Sequence, residues 1–211
     1  MPKGVPVLLS ALAAGGTLPL AFAPWSWWWL APLPLAALFL LVMNASPRRA
    51  FGVGYAFGLG LFGVGVSWVH ISVARFGDGG APLAVTATAA FVGLLALFPA
   101  TAVGLARLVS PRRRLIDLTL VLPTCWVLLE WCRTWVLTGF PWLILGYSQT
   151  GSALGRAAAP VIGVLGTSLI VASVAGALTL VAVARDTRRR LAVVAVAATA
   201  VALVAIVAER D

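Results

Sequence analysis

The amino-acid sequence predicts an all-α fold, a polytopic transmembrane helical bundle of about seven spans. Three observations predict it. Of 211 residues, 62% are hydrophobic and only 10% charged, against about 45–50% apolar and about 25% charged in an ordinary soluble domain. Mean hydropathy is +1.05. The apolar residues also fall into long runs, with most of the charges in the short stretches between them. A fold in water could not hide this much apolar surface, so lipid must solvate much of it.

About 20 apolar residues cross the hydrocarbon core, and the runs are read against that length. The first is about 5–22. It follows Lys3 and ends in Ala21-Phe22-Ala23, a pattern that resembles a signal-peptide cleavage site. Pro24 would hinder the cut, and the run is long enough to span, so a retained first helix is expected. The second run, about 27–43, opens on the aromatic cluster Trp25, Trp27, Trp28 and Trp29. The third is about 50–69. In it Gly52, Ala56 and Gly60 recur at i, i+4, as do Gly54 and Gly58, a spacing that lets helix backbones approach closely. The remaining runs are about 81–108, 115–137, 160–184 and 191–208.

The net charge of +9 does not indicate nucleic-acid binding. The basic residues sit in clusters between apolar runs and form no continuous stripe. They set the orientation instead. Lys3, Arg48, Arg49, Arg107, Arg112, Arg113, Arg114, Arg185, Arg188, Arg189 and Arg190 fall on one side; Arg75, Arg133, Arg156 and Arg210 fall on or toward the other. The positive-inside rule then places the N-terminus in the cytoplasm. Seven spans leave the C-terminus outside, where Glu209-Arg210-Asp211 is expected to lead into something extracytoplasmic.

Ionisable side chains inside a membrane are costly and each asks for a reason. Glu130 and Arg133 lie three residues apart in the fifth run, on neighbouring positions of one helix face. They read either as an internal ion pair or as a site where Arg133 meets a lipid phosphate and Glu130 orients it. Asp117 is expected to pair locally with Arg113 or Arg114. His70, the one histidine, reads as a hydrogen-bonded packing or interface residue, since no acidic neighbour in sequence makes a triad. Cys125 and Cys132 are seven apart, roughly 10 Å along a helix and too far for a disulfide within it. No cysteine or histidine cluster has metal-ligand spacing, and no cofactor is implied.

The most distinctive stretch is Leu137-Thr-Gly-Phe-Pro-Trp142, continuing to Gly146-Tyr-Ser-Gln149. Gly139 and Pro141 do not suit a helix interior, while Phe140, Trp142 and Tyr147 supply amphipathic bulk at headgroup depth. Composition leaves two readings open: an interfacial loop anchored by aromatics, or a re-entrant loop lining a substrate site, since irregular backbone at membrane depth survives only where protein or water covers it.

These stretches, with Leu20-Ala-Phe-Ala-Pro24, Phe57–Gly63, Ser67-Trp-Val-His70, Phe76-Gly77, Pro123, Trp126, Glu130, Arg133 and Trp135–Trp142, resemble the membrane part of bacterial apolipoprotein N-acyltransferases over most of residues 8–180. The resemblance implies an enzyme that moves an acyl chain from a phospholipid to the N-terminal amine of a diacylglyceryl-modified lipoprotein. It implies a nitrilase-like domain beyond the seventh span, working through a Glu-Lys-Cys triad and an acyl thioester. That triad has no counterpart here: Lys3 is the one lysine, and both cysteines lie within a span. No catalytic residue is therefore assigned, and the chain alone is expected to be inactive. By the match, Phe140, Pro141 and Trp142 are implied to contact lipid beside the acyl-binding cavity, with Gly139 in the same loop and Glu130, Arg133, Tyr147 and Gln149 as further contacts. The rival expectation is a non-catalytic membrane scaffold for a polyprenol-phosphate mannose synthase, a glycosyltransferase partner.

Overall fold

A computed structural model describes residues 4–77 and 80–184, and every described regular element is helical. Helix α1 (Gly4–Thr17) continues through a 3-10 turn, Leu18–Ala21, to an irregular segment. A short 3-10 turn at Trp28–Leu30 leads into α2 (Pro32–Val42). Helix α3 (Pro47–Gly65) starts where Ser46 caps it by accepting from the Arg49 N–H, with Pro47 in the first turn, where its missing donor costs nothing. Helix α4 (Val69–Phe76) is bent 56° from α3. Then come α5 (Gly80–Val109), α6 (Arg114–Ile116), a π-helical turn (Asp117–Val121) and α7 (Leu122–Arg133). Helix α8 (Ala153–Val183) follows a long irregular stretch.

Four helical segments are long and apolar enough to cross a membrane, Gly4–Ala21, Gly80–Val109, Arg114–Arg133 and Ala153–Val183; the bent pair α3 and α4 makes a fifth if taken as one span. The expected count of seven is not confirmed. The second run forms a shorter apolar helix, Trp28–Val42, because Pro32 and Pro34 sit in the opening turn of α2 and the Trp-rich segment before it is mostly coil. The helix of the fifth run ends at Arg133 rather than near 137, and that of the sixth begins earlier, at Ala153. The expected seventh span, 191–208, lies outside the described residues.

Helix α3 is the centre of the bundle, packed on α5 and on α1. Its small residues explain how closely. A Cβ added to Gly60 would lie 2.0 Å from the Leu12 carbonyl oxygen, and one on Gly15 of α1 would lie 1.9 Å from that of Phe57. On the other flank, a Cβ on Gly58 would meet the Ala96 Cα at 2.7 Å and one on Gly54 the Pro99 carbonyl oxygen at 2.8 Å. The backbones touch with nothing between them, the arrangement that carries helix association where lipid offers no hydrophobic drive. Gly52 differs: among the described residues nothing lies within 4 Å of its Cβ position, so in them Gly52, Ala56 and Gly60 do not form one packing surface. Phe57, Leu61 and Phe62 fill the centre, and Phe57 meets the Trp126 ring of α7 edge-on at 5.9 Å. Large apolar side chains such as Val5, Leu9, Leu120 and Ile162 point outward, as lipid-facing residues do.

Helix α8 breaks at Gly163, with φ 70° and ψ −179°, three residues after Pro160. The Thr167 hydroxyl donates to the Gly163 carbonyl at 2.9 Å, so the break does not leave that acceptor empty. Farther along, α8 lies so close to the π turn that a Cβ on Gly176 would be 1.8 Å from the Leu118 carbonyl oxygen. The chain thus alternates between two ends of the bundle. One end gathers residues 18–31, 66–77 and 134–152, tied by Trp68 against Trp142 and by Gln149 to Trp28. The other gathers 43–46 and 110–113, tied by Arg107 to Ala45 and Asp117.

Candidate functional site

The distinctive stretch lies at the first of these ends, between α7 and α8. After Arg133 the helix stops. Leu137, Thr138 and Gly139 all take positive φ, at 52°, 74° and 82°, and so does Leu143 at 57°. Residues with a Cβ rarely stay in this region unless the surroundings hold them there. At Gly139 only glycine fits: a Cβ would lie 2.1 Å from the Thr134 carbonyl oxygen.

What holds the segment is a set of polar side chains from the bundle. The Arg133 guanidinium donates through Nη1 to the carbonyls of Phe140, at 2.8 Å, and Trp142. The Arg133 carbonyl accepts from the Phe140 N–H at 2.8 Å. Glu130 Oε1 accepts from the Leu145 N–H at 2.8 Å and from Trp126 Nε1 at 3.1 Å. Ser168 of α8 accepts from the Gly146 N–H at 2.8 Å. Gln149 donates from Nε2 to the Trp28 carbonyl and to Ser148. A backbone with only two short 3-10 turns of its own, Val136–Thr138 and Leu145–Gln149, can lie against the bundle because helices on both sides supply its other partners.

Glu130 and Arg133 are therefore brought together, but their hydrogen bonds run to the loop and to Trp126 rather than to each other. Both are buried, 5% and 3% exposed. The guanidinium also lies over the Phe62 ring, 5.2 Å from its centre, a favourable place for a cation. Among the described residues Glu130 Oε2 has no partner in hydrogen-bond geometry, with the Ser168 hydroxyl as its polar neighbour. Beneath the loop a pocket of about 10 Å³, lined by Phe62, Trp126, Glu130, Arg133 and Leu143 among others, has room for about one water. It is too small for an acyl chain.

The aromatic side chains face the other way. Trp142 is 49% exposed and rests on Trp68 at 5.5 Å, with Phe140 at 6.4 Å; Phe140 in turn packs edge-on against Phe91 of α5 at 4.9 Å. Pro141 and Tyr147 are also exposed, Gly139 is half-buried, and Gln149 is buried. The loop thus keeps Pro141, Trp142 and Tyr147 open, while Ile144 and Leu145 are buried beside its held backbone and Phe140 and Leu143 pack against the core. Sequence reasoning missed Phe62, Phe91, Leu143 and Ser168. Leu143 lies where a Cβ on Gly65 would be, 2.2 Å from its Cδ1, and the one signal for Ser168 was a hydroxyl inside an apolar run.

Asp117 was expected to pair with Arg113 or Arg114; it pairs instead with Arg107, at 3.1 Å, and accepts from Ser110 at 2.6 Å. Arg113, extended just before α6, and Arg114, its first residue, are both exposed. His70 donates from Nδ1 to the Ser67 carbonyl. Cys125 and Cys132 are free thiols. Among the described residues no group of three His, Cys, Asp or Glu side chains could hold a metal ion.

Comparison with known proteins agrees with this picture. The family model described as "Apolipoprotein N-acyltransferase N-terminal domain" matches residues 14–177. An apolipoprotein N-acyltransferase of Methylococcus capsulatus is 48% identical over 171 residues, covering 81% of this chain and 34% of the relative. Those of Coxiella burnetii and Ralstonia nicotianae are 42% identical over 183 residues and 44% over 162, covering 86% and 75% of this chain but 37% and 31% of the relatives. The chain spans about a third of the length of these curated relatives. It is a multi-pass membrane protein, and it belongs to the apolipoprotein N-acyltransferase family, matching the family's N-terminal membrane part.

Proposed function

We propose that residues 1–211 form the membrane domain of an apolipoprotein N-acyltransferase in the bacterial cytoplasmic membrane, N-terminus inside. Its work is to seat a phospholipid acyl donor and a diacylglyceryl lipoprotein acceptor beneath a nucleophile supplied from outside this stretch. In the intact enzyme a thiolate takes the acyl group as a thioester, releasing the lysophospholipid, and the lipoprotein amine then takes it from sulfur.

The observation that carries this reading is the two-sided loop 139–147. Its backbone is pinned by buried side chains while Trp142, Pro141 and Tyr147 stay open at one end of the bundle. An aromatic surface on a fixed backbone suits contact with acyl chains near headgroup depth. Gln149, Glu130 and Arg133 contribute from behind, since their polar atoms are engaged. None of the relatives named above is described as a glycosyltransferase or as its partner, so the scaffold reading gains no support.

A photoactivatable phospholipid tests the seat. Crosslinks are expected on the peptide holding residues 139–147 and should fall in a Trp142→Ala variant; labelling spread evenly over the lipid-facing helices would refute it. In the same preparation, N-acylation of a diacylglyceryl peptide by these 211 residues alone would refute the proposed inactivity.

A further inference from the structure

We infer that Glu130 and Arg133 are positioning residues that set where Trp142 stands, and that Glu130 serves as a hydrogen-bond acceptor rather than as a ligand for lipid. This rests on the reading that the Trp142 face meets lipid.

The geometry brackets Trp142. On one side Arg133 Nη1 holds the Phe140 and Trp142 carbonyls; on the other Glu130 Oε1 holds the Leu145 N–H, and Ser168 the Gly146 N–H. Between them Leu143 stands at φ 57°, a conformation the chain does not keep unaided. Removing the holders would leave those carbonyls and N–H groups unpaired at a depth where water does not replace them. The segment would then relax toward commoner dihedrals and carry the indole with it.

Three features favour positioning over direct lipid contact. Both side chains are at least 95% buried. The Arg133 guanidinium has committed Nη1 to two backbone carbonyls and one face to the Phe62 ring, so a phosphate could reach it only by displacing the loop. Glu130 carries two N–H bonds on Oε1, and among the described residues Oε2 accepts from no N–H. One neutral acceptor at the Oε1 position would serve the same two donors. A glutamine can provide it, and its amide N–H₂ would lie near Ser168, the side chain neighbouring this carboxylate.

The test labels the protein with 5-fluorotryptophan in lipid nanodiscs and reads ¹⁹F lines, with the Trp142 and Trp29 lines assigned by their loss in Trp142→Phe and Trp29→Phe. In Arg133→Met and Glu130→Leu the Trp142 line is expected to shift or split while the Trp29 line, in another segment, stays. In Glu130→Gln the Trp142 line is expected to stay within the wild-type linewidth. An unmoved Trp142 line in the Met and Leu variants would overturn the inference, and so would a moved one in Glu130→Gln. If the Met and Leu variants unfold, shown by movement of every line, Arg133→Lys takes their place: it keeps the charge but loses the planar guanidinium fork, so the Trp142 line is expected to shift, and an unmoved line would overturn the inference. Spin-labelled phospholipid in the wild-type discs checks the underlying reading separately: an unbroadened Trp142 line would reject lipid contact whatever the variants do.

Discussion

Arg107, in the last turn of α5, and Asp117, on the π turn that opens the α7 rod, meet at 3.1 Å with side chains only 11% and 6% exposed. Arg107 Nε also donates to the Ala45 carbonyl at 3.3 Å, and Ser110 donates to Asp117 at 2.6 Å. Three separate segments at one end of the bundle are thereby tied through two charges. Losing one member leaves the other buried and uncompensated, at a cost of about 3 kcal/mol. Arg107→Met and Asp117→Leu are each expected to lower stability by that order, and the double variant by less than the sum. Unfolding in mixed micelles measures it; strict additivity would show that the pair is not coupled.

Helix α1 crosses α3 at Gly15 and Gly60, where any Cβ would overlap backbone at about 2 Å. Gly15→Ala and Gly60→Ala should each destabilise the bundle by about 1–3 kcal/mol, the usual cost of overpacking. Gly52→Ala, on α3 with no atom of the described residues within 4 Å of its Cβ position, should be neutral or stabilise by up to about 1 kcal/mol through helix propensity. Thermal melts of the three proteins in one detergent compare them; equal losses at all three positions would contradict this account of the crossing.

Gly139 combines φ +82° with a Cβ position 2.1 Å from the Thr134 carbonyl oxygen. Gly139→Ala is expected to cost about 1–3 kcal/mol of local strain, and the loop should loosen before the bundle does. Limited proteolysis within 137–145 is the measurement, with faster cleavage at an unchanged global melting point as the expected result. Pro141→Ala, at an exposed position, should cleave like the wild type.

Thr179 of α8 donates its hydroxyl to the Ala36 carbonyl of α2 at 3.1 Å while also lying 2.9 Å from the Ala175 carbonyl of its own helix. One proton is shared between two acceptors. Thr179→Val is therefore expected to cost only about 0.6 kcal/mol, the average for such bonds in membrane proteins. A loss several times larger in an unfolding titration would mean that the bond to α2 matters more than its geometry implies.

The proposed orientation puts the loop after α5 in the cytoplasm and the start of α8 outside. Cysteines placed at Pro111 and Thr150, both exposed, should react with a membrane-impermeant thiol reagent from opposite sides of the membrane in Cys125→Ser/Cys132→Ser protein. Labelling of both from one side would overturn the orientation.

Where local sequence governs the outcome, it was readable. The runs at 81–108 and 115–137 became Gly80–Val109 and Arg114–Arg133, since an uninterrupted apolar run in lipid has helix as its one way to satisfy its backbone. The close packing of α3 followed from glycine spacing. Less readable was the second run, whose prolines and tryptophans shortened a stretch of spanning hydropathy. Gly139 and Pro141 announced a loop, but not which face of it would be buried.

Composition and run length by themselves determined that this chain crosses a bilayer several times, and the Trp135–Gln149 motif pointed to its family, because both are properties of the chain read in order. Tertiary structure alone decided the partners of the buried charges. Asp117 found Arg107 rather than its sequence neighbours, and Glu130 and Arg133 found the backbone of residues 140–145 rather than each other. In low dielectric a charge is satisfied by whatever donor or acceptor the packing of distant helices delivers to it, and three-residue spacing carries no information about that.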